Sequence, residues 1–439
     1  MEGERKTLTQ LSVPICLETL FYMLSGMVDT LMLSSVSDQA VGAVGTANTY
    51  IGVFIIMFGV ISSGMVAVMS QNIGAGRPGI AYQARQLGLV FNALTGILMS
   101  VVLAVFSGGI LRAVSIAPAL LESAETYLKI VGGASFLNAL IPIFSSYLRV
   151  FGYTKHSLIG TVVGNVINII LNSVFLFVFH WGVMGVATAT VISKVVNLII
   201  VAAMGAVLIK AKQSPERAQP RRILAQIVKI GFPSVFETAL YNVAMTFIVC
   251  FMNHMDTDGM NVTARSYAMQ IANFSYCVGA ALAQANAIMT GWRIGAKKYE
   301  ECDRGTRKAV IYGLVTATCF SVTFAITGRF IVHIFTNDIQ MIELVVKLLV
   351  VDIFLEFGRV TNLVYGQALK TSGDAIFPVI MGAIFMYLFA VGGTYFLGIH
   401  MGLLAVGAYI AMAGDECARA VGMVLRWKSG KWKSKSLVE

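Results

Sequence analysis

Long apolar runs, broken by short clusters of charge, glycine and proline, follow one another along the entire chain. Twelve such runs cover residues 8–34, 41–70, 87–111, 125–150, 158–180, 183–209, 227–253, 260–292, 307–333, 341–369, 376–399 and 402–426. A hydrocarbon core about 30 Å thick takes roughly 20 residues of α-helix per crossing, so each run predicts one membrane-spanning helix. The first run is expected to stay in the chain rather than leave as a signal peptide. It exceeds a short apolar h-region, holds Glu18 and Asp29, and lacks a small-residue cleavage site.

Composition narrows the class further. Of 439 residues, 57% are hydrophobic and 12% charged, whereas soluble domains carry about 25% charge, so a water-soluble globule is excluded. Six cysteines without a CxxC pair exclude a disulfide scaffold and a zinc ribbon. Five scattered histidines form no HExxH frame, and neither a resident metal nor a cofactor is expected. The net charge of +10 does not imply nucleic acid, because its sources alternate across the spans. Of 32 lysines and arginines, 24 fall on one side, among them Arg5, Arg149, Lys370 and the cluster from Lys210 to Lys229. Arg112, Lys129, Arg265 and Arg329 fall on the other side, while Lys194, Lys347, Arg359 and Arg419 lie within spans. The positive-inside rule then places both termini in the cytoplasm, which an even number of spans requires.

The only long polar, proline-containing segment, KAKQSPERAQPRR (210–222), divides the spans six and six. The halves align. LSVPICLETLFY (11–22) matches IGFPSVFETALY (230–241), pairing Pro14 with Pro233 and Glu18 with Glu237 at an offset of 219. Ile73-Gly74-Ala75 matches Ile294-Gly295-Ala296, and Leu148-Arg149 with Gly152 matches Leu369-Lys370 with Gly373, both at 221. A nearly constant offset over separated blocks marks an internal repeat. An even number of spans per half makes the repeats parallel. The fold expected is therefore an all-α membrane protein, with twelve transmembrane helices in two six-helix bundles related by pseudo-twofold symmetry. The bundles are placed over 1–209 and 227–426, with a cytoplasmic linker at 210–226 and a basic tail at 427–439. Such repeats are expected to enclose a substrate cavity and to work by rocking, which is transporter architecture.

Ionisable groups at membrane depth are costly and require a partner or a task. Span 1 holds Glu18 and Asp29, span 6 Lys194, and span 7 Glu237. On span 10, Asp352, Glu356 and Arg359 share a helix face continued by Asn362; on span 12, Asp415 and Glu416 precede Arg419 by four and three residues. These clusters read either as mutually neutralising staples or as an ion or substrate site of the second half. Five acids there against three bases leave at least two carboxylates without an obvious cation. Asp29 has no basic residue nearby in sequence and reads as a proton or cation relay, with interhelical hydrogen bonding as the plainer alternative. Asn165, Asn168 and Asn172 on span 5 form one amide-bearing face, either interhelical glue or oxygen ligands that join Asp29 around a proton-bearing water or a sodium ion. Pro14 is a tolerated early-helix proline or the bend of span 1. Gln270, Asn273 and Gln284 on span 8 are read as cavity-lining. The tail Arg426-Trp427-Lys428 with Lys431-Trp432-Lys433 reads as an interfacial anchor.

These pieces together resemble the multidrug and toxic compound extrusion (MATE) family, in a prokaryotic branch. The matching motifs are Val28-Asp29-Thr30 followed by AVGAVG (40–45), Gln71-Asn-Ile-Gly74-Ala75-Gly76 and Arg149-x-x-Gly152-Tyr-Thr154. Gly164-Asn165-x-x-Asn168-x-x-x-Asn172 and Leu369-Lys370-x-x-Gly373-Asp374 complete the set. The resemblance implies an antiporter in a bacterial or archaeal plasma (inner) membrane, exporting small organic molecules in exchange for H+ or Na+, and acting as a monomer. It carries the coupling role onto Asp29, with Asn168, Asn172 and Thr190 around it and Glu18 on the same span, and the helix bend onto Pro14. On span 10 it places Arg359 where some sodium-coupled relatives have an aspartate, leaving Glu356 or Asp352 to act. The alternatives are a flippase for a lipid-linked precursor, which would carry an arginine-rich cavity, and a membrane-embedded enzyme, for which no HExxH or GxSxG motif is present.

Overall fold

The computed structural model describes residues 6–113, 116–255 and 259–438, so Arg5 lies outside the described residues. Fourteen α-helices and no strand occur among them. Helices α1 (Leu8–Ser34), α2 (Asp38–Gly74) and α3 (Pro78–Val105) correspond to the first three runs. Pro78 opens α3 nine residues ahead of the predicted start, because proline at the first helical turn forfeits an N–H that has no intrahelical partner. The end of run 3 separates as a short α4 (Ser107–Ala113).

Run 4 is broken. Helix α5 (Pro118–Tyr127) passes through a π-helical turn, Leu128–Gly132, before α6 (Phe136–Val150), and the two parts meet at 42°. α7 (Thr154–Ser173) likewise runs into a π-helical turn, Val174–Val178, and α8 (Gly182–Leu208) follows. The second half comprises α9 (Pro220–Asn253), α10 (Met260–Gly295), α11 (Tyr299–Val332), α12 (Ile339–Ser372), α13 (Ile376–Phe385) and α14 (Leu404–Lys428). Two π-helical segments, Met386–Val391 and Thr394–His400, extend α13 to the length of a span.

Eight helices are long and apolar enough to cross a bilayer, and the bent α5–α6 pair makes nine. α10, α12 and α14 occupy the remaining predicted runs at sufficient length but carry the polar residues singled out above. The architecture is thus twelve spans in two six-span bundles. Large apolar side chains such as Phe330 and Ile326 stand almost fully exposed, as lipid-facing positions require.

The chain falls into two compact units, one of residues 17–231 and the other of residues 7–16 with 232–439. The division thus comes after α9 has begun rather than in the 210–226 segment, and it follows Pro14 on α1 and precedes Pro233 on α9 by one or two residues. That segment is not a free tether either. The Gln83 amide on α3 donates to Ala218 O and accepts from Ala218 N, at 2.8 and 3.0 Å.

Two glycines set the closest helix approach in the first unit. A Cβ at Gly64 on α2 would stand 2.0 Å from Ile227 O on α9, and one at Gly231 would stand 1.7 Å from Val60 O. Small residues let membrane helices pack backbone to backbone. Gly64→Ala is therefore expected to cost about 1–3 kcal/mol, since the obstacle is backbone and cannot swing aside. Thermal unfolding in detergent should show it melting several degrees lower. Gly45→Ala, where nothing lies within 4 Å, should leave the transition unmoved.

The tail departs from its reading as an interfacial anchor. Trp427 and Trp432 stack at 4.2 Å and are 2% and 1% exposed, within an apolar core formed by α10, α11, α12 and α14. Trp427 Nε1 donates to Asp303 Oδ1 at 2.8 Å, and the 3-10 turn Lys431–Lys435 lies against Gly373. Gly373 has φ +100°, and a Cβ there would be 2.2 Å from Lys435 O, so both backbone and space call for glycine. Its repeat partner Gly152 is also left-handed, at φ +87°.

Candidate functional site

In the first unit, α1 and α7 bring Asp29 to the amide face of span 5. Asn172 Nδ2 donates to Asp29 Oδ1 at 2.6 Å and to Asn168 Oδ1 at 3.4 Å. Asn168 and Asn172 are buried, and Asn172 Oδ1 has no hydrogen-bond partner among the described residues. Asn165 is spent on packing instead, donating to Phe21 O at 2.7 Å. Thr190 on α8 donates to Val186 O at 2.9 Å and shares a hydrogen bond with Tyr127, whose hydroxyl also engages Asn48. Two neighbours of Asp29 were not foreseen: the Tyr127 ring from α5 and Lys194 from α8 both lie within its electrostatic reach. Lys194 is four residues beyond Thr190 on the same helix, and that spacing was the available signal. No ion pair to Asp29 is present among the described residues.

Glu18 stands apart from this group. It lies three turns earlier on α1, where Arg149 Nη2 pairs with Glu18 Oε1 at 2.7 Å and Ser157 Oγ donates to the same oxygen at 3.0 Å. The second unit repeats the device: Lys370 on α12 pairs with Glu237 on α9 at 2.5 Å. Glu18 and Glu237, and Arg149 and Lys370, are the positions that the repeat aligns. The second-half count of acids without a cation is corrected accordingly, because Lys370, counted with the cytoplasmic cations, pairs with Glu237.

The acid–arginine clusters of spans 10 and 12 form one network. Arg359 pairs with Glu356 on its own helix and reaches Glu416 of α14 at 3.8 Å, while Asn362 Nδ2 donates to Glu416 Oε2 at 3.0 Å. Arg419 binds Asp415 through two nitrogens, at 2.6 and 3.0 Å, and Glu416 at 2.9 Å. Ser275 of α10 donates to Glu356 at 3.4 Å. Asp352 is the buried acid of this cluster that has no hydrogen bond or ion pair among the described residues.

The network borders a cavity of about 500 Å³ inside the second unit, with Glu237, Asp352, Arg359, Glu416, Arg419 and Lys370 in its wall. That volume suits a small organic molecule. Asn273 lines it, whereas Gln270 is exposed on α10 and Gln284 lies outside the lining. Arg265, counted by charge alternation among the few cations of the less basic side, is buried in α10 and lines the cavity, as do Tyr241, Tyr276 and Tyr409. Arg265, Met269, Asn273 and Tyr276 recur at helical spacing, a signal that was legible and not used.

Twelve spans in two bundles, an amide-held carboxylate at membrane depth and a cavity of ligand size define a multi-pass membrane transporter. The MatE family model matches residues 14–174 and again 233–396, which reproduces the repeat. The chain belongs to the MatE family, whose members are transporters rather than enzymes. It is 32% identical to the uncharacterized transporter YisQ of Bacillus subtilis, over 98% of this chain and 96% of that protein. It is 26% identical to the probable multidrug resistance protein NorM of Thermotoga maritima, over 99% and 94%. Its fold matches a MATE protein solved in a bent conformation with a TM-score of 0.88, at 18% identity over 98% of this chain and 97% of that one. It also matches a MATE multidrug transporter in an outward-facing conformation with a TM-score of 0.87, at 18% identity over 97% and 96%.

Proposed function

We propose that this protein is an antiporter of a prokaryotic plasma membrane, with both termini cytoplasmic, working as a monomer. It exports organic cationic or amphipathic compounds in exchange for H+ or Na+, and Asp29 is the coupling carboxylate. The observation that carries this reading is the Asp29–Asn172 hydrogen bond beside the orphaned Asn172 Oδ1. A carboxylate needs a donor and a carboxylic acid needs an acceptor, and a rotating amide offers either. Asn172 presents its nitrogen to the ionised form; turned over, it presents oxygen to the protonated one. For sodium, the same carboxylate and amide oxygens are the hard ligands that the ion takes. Pro14 lacks an N–H and interrupts the α1 ladder, which suits a helix that bends when Asp29 changes state. Coupling then follows if the two charge states of Asp29 bind cargo unequally, since equal affinity moves no equilibrium.

A flippase reading is less favoured because Arg359, Arg419 and Lys370 are each neutralised by carboxylates. The test uses the full chain in proteoliposomes loaded with ethidium. Export is expected to accelerate when a pH gradient or a sodium gradient is imposed, and the two gradients applied separately identify the ion. Rates indifferent to both would overturn antiport.

A further inference from the structure

Arg265 has no use in the network around it. The residue is 7% exposed, and among the described residues Nε has no hydrogen-bond partner and Nη2 meets only the weakly accepting thioether of Met245, at 3.6 Å. No carboxylate lies within ion-pair distance of it among the described residues. Every other cation of the cavity wall is paired: Arg359 and Arg419 with acids of α12 and α14, Lys370 with Glu237. Burying a guanidinium without an anion is strongly unfavourable, so a chain that keeps one beside an open volume keeps it for something that enters that volume.

We propose that Arg265 is an anion-recognising residue of the second unit's cavity, which takes organic solutes bearing a carboxylate, sulfonate or phosphate on an aromatic or apolar body. The guanidinium fork matches such groups two bonds at a time. Tyr241 and Tyr276 line the cavity and supply aromatic surface for the body, and the Tyr409 hydroxyl lies within electrostatic reach of both Arg265 and Asp352. Asp352, itself without a hydrogen bond or ion pair, then accommodates a positive group on the same solute, so the cavity suits amphoteric cargo. This rests on the reading of the cavity as a cargo site.

The experiment compares rhodamine B, which has a free carboxylate, with rhodamine B ethyl ester, which shares its cationic chromophore. Binding to the full-length protein in detergent is followed by fluorescence polarisation, without any gradient. The wild type is expected to bind the acid about tenfold more tightly than the ester. Arg265→Gln should lose that preference by weakening the acid alone, and Arg265→Lys should keep part of it. Melting temperatures establish that the variants are folded. Equal binding of acid and ester by the wild type overturns the Arg265 assignment while leaving the cargo-site reading intact. So does an equal loss of both dyes in Arg265→Gln, which marks a structural role, or recovery of the acid preference in the Arg265→Gln, Asp352→Asn double variant, which marks a pair with Asp352. Binding of neither dye overturns both the cargo-site reading and the assignment. Displacement of the acid by phosphatidylglycerol but not by benzoate overturns a soluble cargo in favour of a lipid headgroup.

Discussion

Replacing Asp29 by asparagine is expected to leave a folded, cargo-binding protein that can no longer move cargo uphill. The substitution keeps the side-chain volume and an oxygen for Asn172 to approach, but removes the carboxylate to which the proposal assigns the exchange of charge. A gradient of one pH unit is equivalent to about 1.4 kcal/mol per proton, or tenfold in concentration. With two units imposed across proteoliposomes, a wild type exchanging one proton per cargo sustains roughly a hundredfold ratio, whereas the variant should relax to unity. The pH profile separates this from simple damage: wild-type export varies with pH as Asp29 changes state, and the variant's residual flux should be flat. Uphill export surviving in Asp29→Asn would remove the carboxylate from the mechanism.

The second large effect concerns the ion pairs that the repeat duplicates. Glu18→Gln removes the anion that faces the part-buried Arg149 guanidinium and accepts from Ser157 and Thr161, at a cost of about 3–5 kcal/mol. Melting in detergent should fall by about three to five degrees, or the protein should fail to accumulate. The exchanged pair, Glu18→Arg with Arg149→Glu, should recover part of the loss, because charge balance returns though the hydroxyl contacts do not. Glu237→Gln in the second unit should cost less, since that glutamate is more exposed than Glu18 and water screens its pairing with Lys370. Equal tolerance of single and exchanged variants would show that the pair contributes nothing to stability.

Much of this was legible from residue order. Twenty-residue apolar runs have one physical solution in a bilayer, so spans and repeat could be read directly. Asp29 could be singled out because an acid in an apolar run with no basic residue nearby requires a partner or a task, and the Asn168/Asn172 face because amides at helical spacing must point one way. What escaped lies in partners distant in sequence. Arg149, Lys370 and Arg265 sit within a turn or two of a span's end, where a shift of 5.4 Å decides between loop and bundle interior, and charge alternation counts a residue without saying which way it faces. The break between α5 and α6 falls at Gly132-Gly133, a helix-weakening pair that was visible in the apolar run but is silent in a count of hydrophobic positions. Trp432 was misread for the opposite reason. Its neighbours are lysines, and the local sequence resembles a headgroup anchor, yet its ring is claimed by Trp427 five residues back.

The stacked tryptophans have a practical bearing on handling the protein. Because the last turn, Lys431–Lys435, closes over Gly373 and seals Trp432 against Tyr299 and Trp427, trimming the C-terminus to aid crystallisation would remove part of the interior rather than a loose end. Emission from this sheltered indole pair would also serve as a built-in reporter of whether the second bundle is intact.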